Sequence, residues 1–180
     1  MLPIETIKFC TRCGHAMELR EESGRIRPIC PRCGYVHYFS PQVAAVAIVT
    51  RAEDEKFLLV QRGEDPGKGL WGLPGGFVEM GETAPEALTR EILEETGYEI
   101  ELRNLIGVWS FYNDSKKIAG VALVYETRVT CGELHIASDS TNAEWVTYER
   151  ALEFPLAFDA HRAALRVWQE GARSADLESG

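Results

Sequence analysis

The sequence predicts an α/β fold with a small metal-stapled module at its N-terminus. Three observations carry that reading: four cysteines in two C-x2-C pairs, β-like apolar runs on both sides of a central segment, and one sharply delimited helix inside that segment. At 180 residues the chain has room for one core domain beside the module. The division expected is a zinc ribbon over residues 1–40, a core domain over 41–170 and a polar C-terminal tail over 171–180.

Cys10, Cys13, Cys30 and Cys33 have the form C-x2-C-x16-C-x2-C, and glycine follows each pair, Gly14 and Gly34. Glycine there admits the tight turn that aims both thiolates at one ion. The spacing is that of a four-thiolate zinc ribbon, in which Zn²⁺ with every position filled by sulfur is structural rather than catalytic. Disulfides are the alternative. No signal peptide precedes the cysteines, and pairing thiols across C-x2-C turns is disfavoured in a reducing compartment, so zinc in a cytoplasmic protein is the expectation. A ribbon of about 40 residues buries too little core to fold alone, and the metal would supply its folding energy. Cys131, in Thr130-Cys131-Gly132-Glu133, has no neighbouring histidine and reads as an apolar filler or an incidental thiol.

Residues 43–50 and 56–62 are β-like runs around the acidic turn Glu53-Asp54-Glu55, which predicts a hairpin. The longest apolar run, 43–49, is far short of the ~20 residues that span a bilayer, so no membrane segment is expected. A loop rich in Gly, Asp and Pro over 63–69 leads into Trp71-Gly72-Leu73-Pro74-Gly75-Gly76, where paired glycines let backbone approach a ligand closely. Arg62, at the end of its strand, is a candidate for pairing with phosphate, against a surface salt bridge.

A helix is expected over 84–96. Thr83 and Glu86 have the spacing of a capping box, Pro85 is tolerated in a first turn, and Gly97 sits where a left-handed cap belongs. At roughly 100° per residue, Glu91, Glu94 and Glu95 share one face, beside an apolar stripe of Leu88, Ile92 and Leu93. These acids lie in the last turns, where the helix dipole disfavours negative charge, and Glu91 with Glu95 is a like-charge i,i+4 pair. With no matching cation of the protein's own in view, the cluster is hard to explain as structure and easy to explain as a divalent metal site. Beyond it, 99–108 and 120–130 read as strands joined through 109–117, 146–153 begins a short helical turn, and 158–169 closes the fold as a helix with Leu165 and Trp168 at helical spacing. Residues 172–180 read as frayed.

Residues Gly76, Glu82, Arg90, Glu91, Ile92, Glu94, Glu95, Gly97 and Tyr98 fit G-x5-E-x7-R-E-U-x-E-E-x-G-U with U apolar. This string resembles the Nudix box, with Tyr98 its one departure, at a position of packing rather than chemistry. The resemblance covers residues 41–170 and implies a mixed β-sheet sandwiched between α-helices. It also implies hydrolysis of a nucleoside diphosphate linked to another moiety. Glu91, Glu94 and Glu95 would then hold Mg²⁺ or Mn²⁺, hard cations that take carboxylate oxygens. Arg90 would orient a glutamate, and Glu82 would brace the loop entering the helix. The general base would be a box glutamate or a later carboxylate, Glu144 first and Asp139 second.

A zinc ribbon joined to such a domain is similar to the NADH pyrophosphatase group and to relatives acting on FAD and ADP-ribose. The NADH group carries an S-Q-P-W-P-F-P run soon after its box, and Ile106-Gly107-Val108-Trp109-Ser110-Phe111-Tyr112-Asn113-Asp114 lacks it. ADP-ribose and FAD therefore come first as substrates, with NADH or an NAD-capped RNA end as the alternative. A non-catalytic nucleotide sensor is a third reading, disfavoured because every carboxylate of the box is in place. Trp109, Phe111 and Tyr112 are candidates for stacking on an adenine or flavin ring, with core packing as the competing role. Net charge is −9, and residues 1–40 carry six basic against four acidic side chains. That lacks the basic footprint of a general nucleic-acid binder. The four histidines, His15, His37, His135 and His161, show no spacing with a nucleophile and read as structural or surface. A homodimer is expected only from the resemblance, since family members often build the substrate pocket from two subunits.

Overall fold

The computed structural model describes residues 6–113, 118–137 and 140–178. Asp114 and Asp139 lie outside them. The chain divides into two compact units, residues 1–41 with 112–119 and residues 42–111 with 120–180.

In the first unit, β1 (Glu18–Glu22) and β2 (Arg25–Ile29) form an antiparallel pair. Each cysteine pair sits in a turn of the same construction. The Gly14 N–H donates to the Cys10 carbonyl at 2.9 Å and the Gly34 N–H to the Cys30 carbonyl at 3.0 Å. Both glycines are left-handed, with φ of 71° and 72°, the conformation their lack of a side chain permits.

The second unit is built on β3 (Gln42–Thr50), β4 (Phe57–Arg62), β5 (Trp71–Gly72), β6 (Gly75–Phe77), all but the 112–119 ends of β7 (Tyr98–Asn113) and β8 (Ile118–Gly132), and β9 (Ser140–Val146). Strand β3 is parallel to β8 on one edge and antiparallel to β6 on the other, while β4 carries β9 and β5. The sheet is thus mixed. Alternation along β3 and β4 sorts the core into two layers. Ala45, Ala47, Val49 and Leu58 face Leu88 and Ile92 of helix α1 (Ala84–Thr96). Val46, Ile48, Phe57 and Leu59 face Ala151 of α2 (Tyr148–Ala151) and Ala164 and Leu165 of α3 (Asp159–Glu178). Runs apolar on both faces mark strands covered by helices on both sides.

Helix α1 has the expected ends. The Thr83 hydroxyl accepts from the Glu86 N–H, the Glu86 carboxylate accepts from the Thr83 N–H at 2.8 Å, and Gly97 adopts φ 74°. Its last carbonyls are satisfied by the segment after β8: the His135 N–H donates to Thr96 at 2.8 Å and the Ala137 N–H to Glu95 at 3.2 Å.

Four expectations need correction. The 43–50 and 56–62 runs pair antiparallel as expected but only at Thr50 and Phe57, while β6 takes Ala44, Ala45 and Val46 on β3. Strand β7 extends through Asn113, absorbing part of the 109–117 connector. Helix α3 runs to Glu178, so most of the 171–180 tail is helical; Ala172, Ala175 and Leu177 are good helix formers, and no proline interrupts them. On α1, Leu93 is 49% exposed and Thr96 is buried instead, its hydroxyl donating to the Ile92 carbonyl at 2.6 Å.

Replacing Thr83 by Ala removes the capping oxygen at the N-terminus of α1. Urea denaturation is expected to show a loss of about 1 kcal/mol, and unchanged stability would mean the cap contributes nothing.

Candidate active site and zinc centre

Helix α1 lies against β6 at two glycines. A side chain on Gly76 would fall 2.3–2.5 Å from the atoms of the Glu91 carboxyl group, and one on Gly75 (φ 137°) would fall 2.3 Å from the Ala45 carbonyl oxygen. The glycine pair therefore makes room for a helix carboxylate and for β3. Its expected part in admitting a ligand takes this indirect form. The Gly75 N–H donates to Glu95 Oε2 at 2.9 Å, so the backbone before the box holds one of its acids.

Arg90 organises the other acids. Its Nε and Nη2 donate to the two oxygens of Glu82 at 2.7 and 2.9 Å, and Nη1 donates to Glu91 at 2.8 Å and to Glu94 at 3.3 Å. The view of the cluster as having no cation of its own is corrected: one guanidinium, 30% exposed, joins three carboxylates. The i,i+4 spacing on a helix brings Arg90 to Glu94, the adjacent Glu91 reaches the same Nη1, and the planar fork accommodates Glu82 as a bidentate partner. The Arg90 hydrogen bonds, aided by the Glu79 N–H, lower the Glu82 pKa to about 2. Glu82 thereby braces the turn that enters the helix.

The three box acids spread across one face rather than closing on a single point. Among the described residues, only the cysteine set brings its ligand atoms within 4.8 Å of one another. A spread trio suits ions that each take one or two carboxylates and complete their shell with water and phosphate. Donor chemistry and access fit such ions, since Glu94 is 62% exposed and hard carboxylate oxygens are presented together.

Beside Glu95 lies a cleft of ≈ 100 Å³ lined by Arg62, Glu64, Asp65, Gly72, Leu73, Gly75 and Ser140, among others. Arg62 is thus brought to the site. Its Nε donates to the Pro66 carbonyl at 2.7 Å and its guanidinium lies 5.1 Å from the centre of the Phe158 ring. Glu64 and Asp65 were missed in the sequence, where two acids one glycine beyond Arg62 were the available signal.

Three candidates are not brought there. Glu144 is flanked by Ala143 and Trp145, which pack on the α1 side, so strand alternation turns its own side chain to the opposite face, paired in register with Leu59. Trp109 and Phe111 are half-buried and pack against the α3-side cluster, Phe111 over Gly120.

In the ribbon unit all four cysteines are free thiols. Cys10 Sγ lies 3.6 Å from Cys33 Sγ, and Cys13 Sγ lies 3.5 Å from Cys30 Sγ. Four Zn–S bonds of about 2.3 Å in a tetrahedron place sulfurs roughly 3.8 Å apart, so the cage fits zinc. The Arg12 N–H points at Cys10 Sγ at 3.4 Å, the kind of outer contact that steadies a thiolate ligand.

Two predictions follow from these geometries. Glu82 is an acid whose folded pKa lies below its ordinary 4.5, so its contribution is complete above about pH 4.5 and is lost as pH falls toward 2. Urea titrations should find Glu82→Gln less stable than wild type by a constant gap near neutrality that closes in acid; a gap persisting at the acid end contradicts the pairing. Cys13→Ser should lose bound zinc and melt the ribbon unit, measured by metal content and amide exchange, whereas a fully protected ribbon without metal contradicts the centre.

Comparison with known proteins agrees with this geometry. The NUDIX domain family matches residues 40–167, and the Nudix N-terminal zinc-ribbon family matches residues 8–39. An ADP-ribose pyrophosphatase of Methanocaldococcus jannaschii is 39% identical over 125 residues, covering 69% of this chain and 72% of that protein. An NAD-capped RNA hydrolase NudC of Haemophilus influenzae is 32% identical over 173 residues, covering 93% of this chain, which spans 62% of the length of that relative. The crystal structure of a NUDIX hydrolase from Nitrosomonas europaea superposes with a TM-score of 0.73 at 29% identity, covering 88% of each chain. The NUDIX domain of Shewanella oneidensis NrtR, solved with ADP ribose, superposes with a TM-score of 0.63 at 25% identity, covering 75% of this chain and 90% of that one. A match over most of its length, on a fold whose helix carries Glu91, Glu94 and Glu95 of the box, makes the chain a member of the Nudix hydrolase family, of the form that bears an N-terminal zinc ribbon.

Proposed function

We propose that this Nudix hydrolase cleaves the diphosphate of a nucleotide joined to a second moiety, with ADP-ribose or FAD as substrate and AMP as one product. The observation that carries the reading is the helix face of Glu91, Glu94 and Glu95, with Glu95 held by the Gly75 N–H and the other two by Arg90. Mg²⁺ or Mn²⁺ bound there would neutralise the diphosphate and acidify the attacking water. Arg90 orients Glu91 and Glu94, Glu82 anchors Arg90, and Arg62 faces the cleft where a phosphate would enter. With Glu144 turned away, the base falls to a box glutamate. From ADP-ribose, water attack at phosphorus gives AMP and ribose 5-phosphate; from FAD it gives AMP and FMN. Reduced thiols in the ribbon suit a cytoplasmic setting, and among the described residues no helix is long and apolar enough to cross a membrane. A homodimer that completes the pocket belongs to the same reading.

One observation favours a second substrate class: the NAD-capped RNA hydrolase relative aligns over 93% of the chain. In that reading NADH or an NAD-capped RNA end is cut at the same diphosphate. The absent S-Q-P-W-P-F-P run between 106 and 114 keeps it second.

Zinc-loaded protein with Mg²⁺ or Mn²⁺ should release AMP from ADP-ribose or FAD faster than from NADH. A reversed ranking selects the second class, and no turnover of any of the three overturns the hydrolase reading. Glu94→Gln and Glu95→Gln should each lower kcat by roughly 10²–10⁴-fold, with folding checked by circular dichroism; normal turnover in both removes the metal assignment.

A further inference from the structure

Between β5 and β6 the chain runs through Leu73 and Pro74, and each backbone group that hydrogen-bonds there does so with a specific partner. The Trp71 N–H donates to the Pro155 carbonyl at 3.0 Å, and the Trp71 carbonyl accepts from the Ala157 N–H at 2.8 Å. The Pro74 carbonyl accepts from the Ala47 N–H at 2.9 Å, and the Gly75 N–H reaches Glu95. The Leu73 N–H donates to a side chain instead. Its acceptor is Nδ1 of His161, on α3, at 3.0 Å. Leu73 is 4% exposed and His161 is 6% exposed, so water offers little substitute.

The surroundings fit this one protonation state. An Nδ1 that accepts from a backbone N–H carries no proton, so the proton resides on Nε2. Gly72 is in contact with the ring: a side chain there would fall 3.1 Å from Nδ1. The Phe158 ring meets the imidazole edge-on at 5.1 Å between centres, and Arg62 lies over the same Phe158 ring. Burial, with the Arg62 charge nearby, lowers the His161 pKa to about 4. Nothing in the expected chemistry of the box uses this residue.

We propose that His161 is a positioning residue for the metal-bearing carboxylates: as a neutral acceptor it fixes Leu73, two residues before the Gly75 N–H that holds Glu95. The inference rests on the reading of Glu91, Glu94 and Glu95 as the divalent-metal face. It joins α3, on one side of the sheet, to Glu95 of α1 on the other through three residues of backbone, 73–75. Gly75 is the direct outer partner of Glu95 and His161 acts through it; loss of a direct outer partner lowers metal affinity or activity by ~10–100-fold in metal sites generally.

The test compares zinc-loaded, full-length His161→Leu and His161→Asn. Asparagine can place its carbonyl oxygen near the position of Nδ1, and leucine cannot accept. Direct Mn²⁺ binding, read from the free-ion paramagnetic resonance signal, is expected to weaken at least ~10-fold in His161→Leu and to recover most of that loss in His161→Asn. Thermal unfolding of both is recorded alongside, since a purely structural role lowers Tm without separating the two in Mn²⁺ affinity. Equal Mn²⁺ affinity in wild type and folded His161→Leu, or equal loss in both variants, overturns the proposal. If His161→Leu does not fold, His161→Met, which also lacks the acceptor, takes its place in the same Mn²⁺ comparison, and a protonated Nδ1 in the wild-type imidazole ¹⁵N spectrum at neutral pH overturns the proposal. Because Mn²⁺ binding is read without substrate, an absence of diphosphate turnover would count against the proposed function and leave this result standing.

Discussion

The close approach of α1 to β6 is the constraint on which the rest depends. Glu91 places its carboxyl group where a side chain on Gly76 would otherwise be, and Gly75 presses against the β3 backbone at Ala45. A side chain at Gly75 would collide with the β3 backbone, and one at Gly76 would push the Glu91 carboxyl group from its place. With the helix seated, Leu88 and Ile92 are buried, Glu95 lines the cleft, and Glu94 stays open to solvent. Packing and chemistry are therefore set by the same two positions.

Electrostatics then explains how acids persist at the unfavourable end of a helix. Negative charge near a C-terminus is opposed by the dipole. Here the opposition is met locally: Arg90 draws Glu91 and Glu94 together with Glu82, the Gly75 N–H supplies a dipole to Glu95, and the segment 133–137 takes up the terminal carbonyls. The result is a carboxylate face that is stable in itself yet still rich in hard oxygen donors. Arg90 sits among the acids as an internal counter-charge, and divalent ions would relieve it of part of that role.

How much was legible in the sequence varied with the range of the interaction. The helix and its caps depend on contacts three or four residues apart, so Thr83, Glu86 and Gly97 were readable. The cysteine cage was readable because two short turns of fixed geometry define it. Arg90 lay in plain view within the motif, but its threefold pairing required knowing that the loop of Glu82 folds back onto the helix. Long-range placement was where inference failed. Glu144 reads as an acid before a strand end, yet the register of β9 against β4 turns it from the site, and one residue of register decides that. Trp109 and Phe111 read equally well as stacking or core residues, and only their layer in the sheet separates the two. His161 carries no local signature at all, because its partner Leu73 is 88 residues away.

The account stands or falls on whether divalent ions occupy the α1 face. Titrating Mn²⁺ into the ¹⁵N-labelled, zinc-loaded protein and following paramagnetic broadening of amide signals tests this directly. Broadening centred on Gly75, Gly76, Glu91, Glu94 and Glu95 is the predicted result. Broadening that is uniform over the surface, or centred away from α1 and β6, would contradict it.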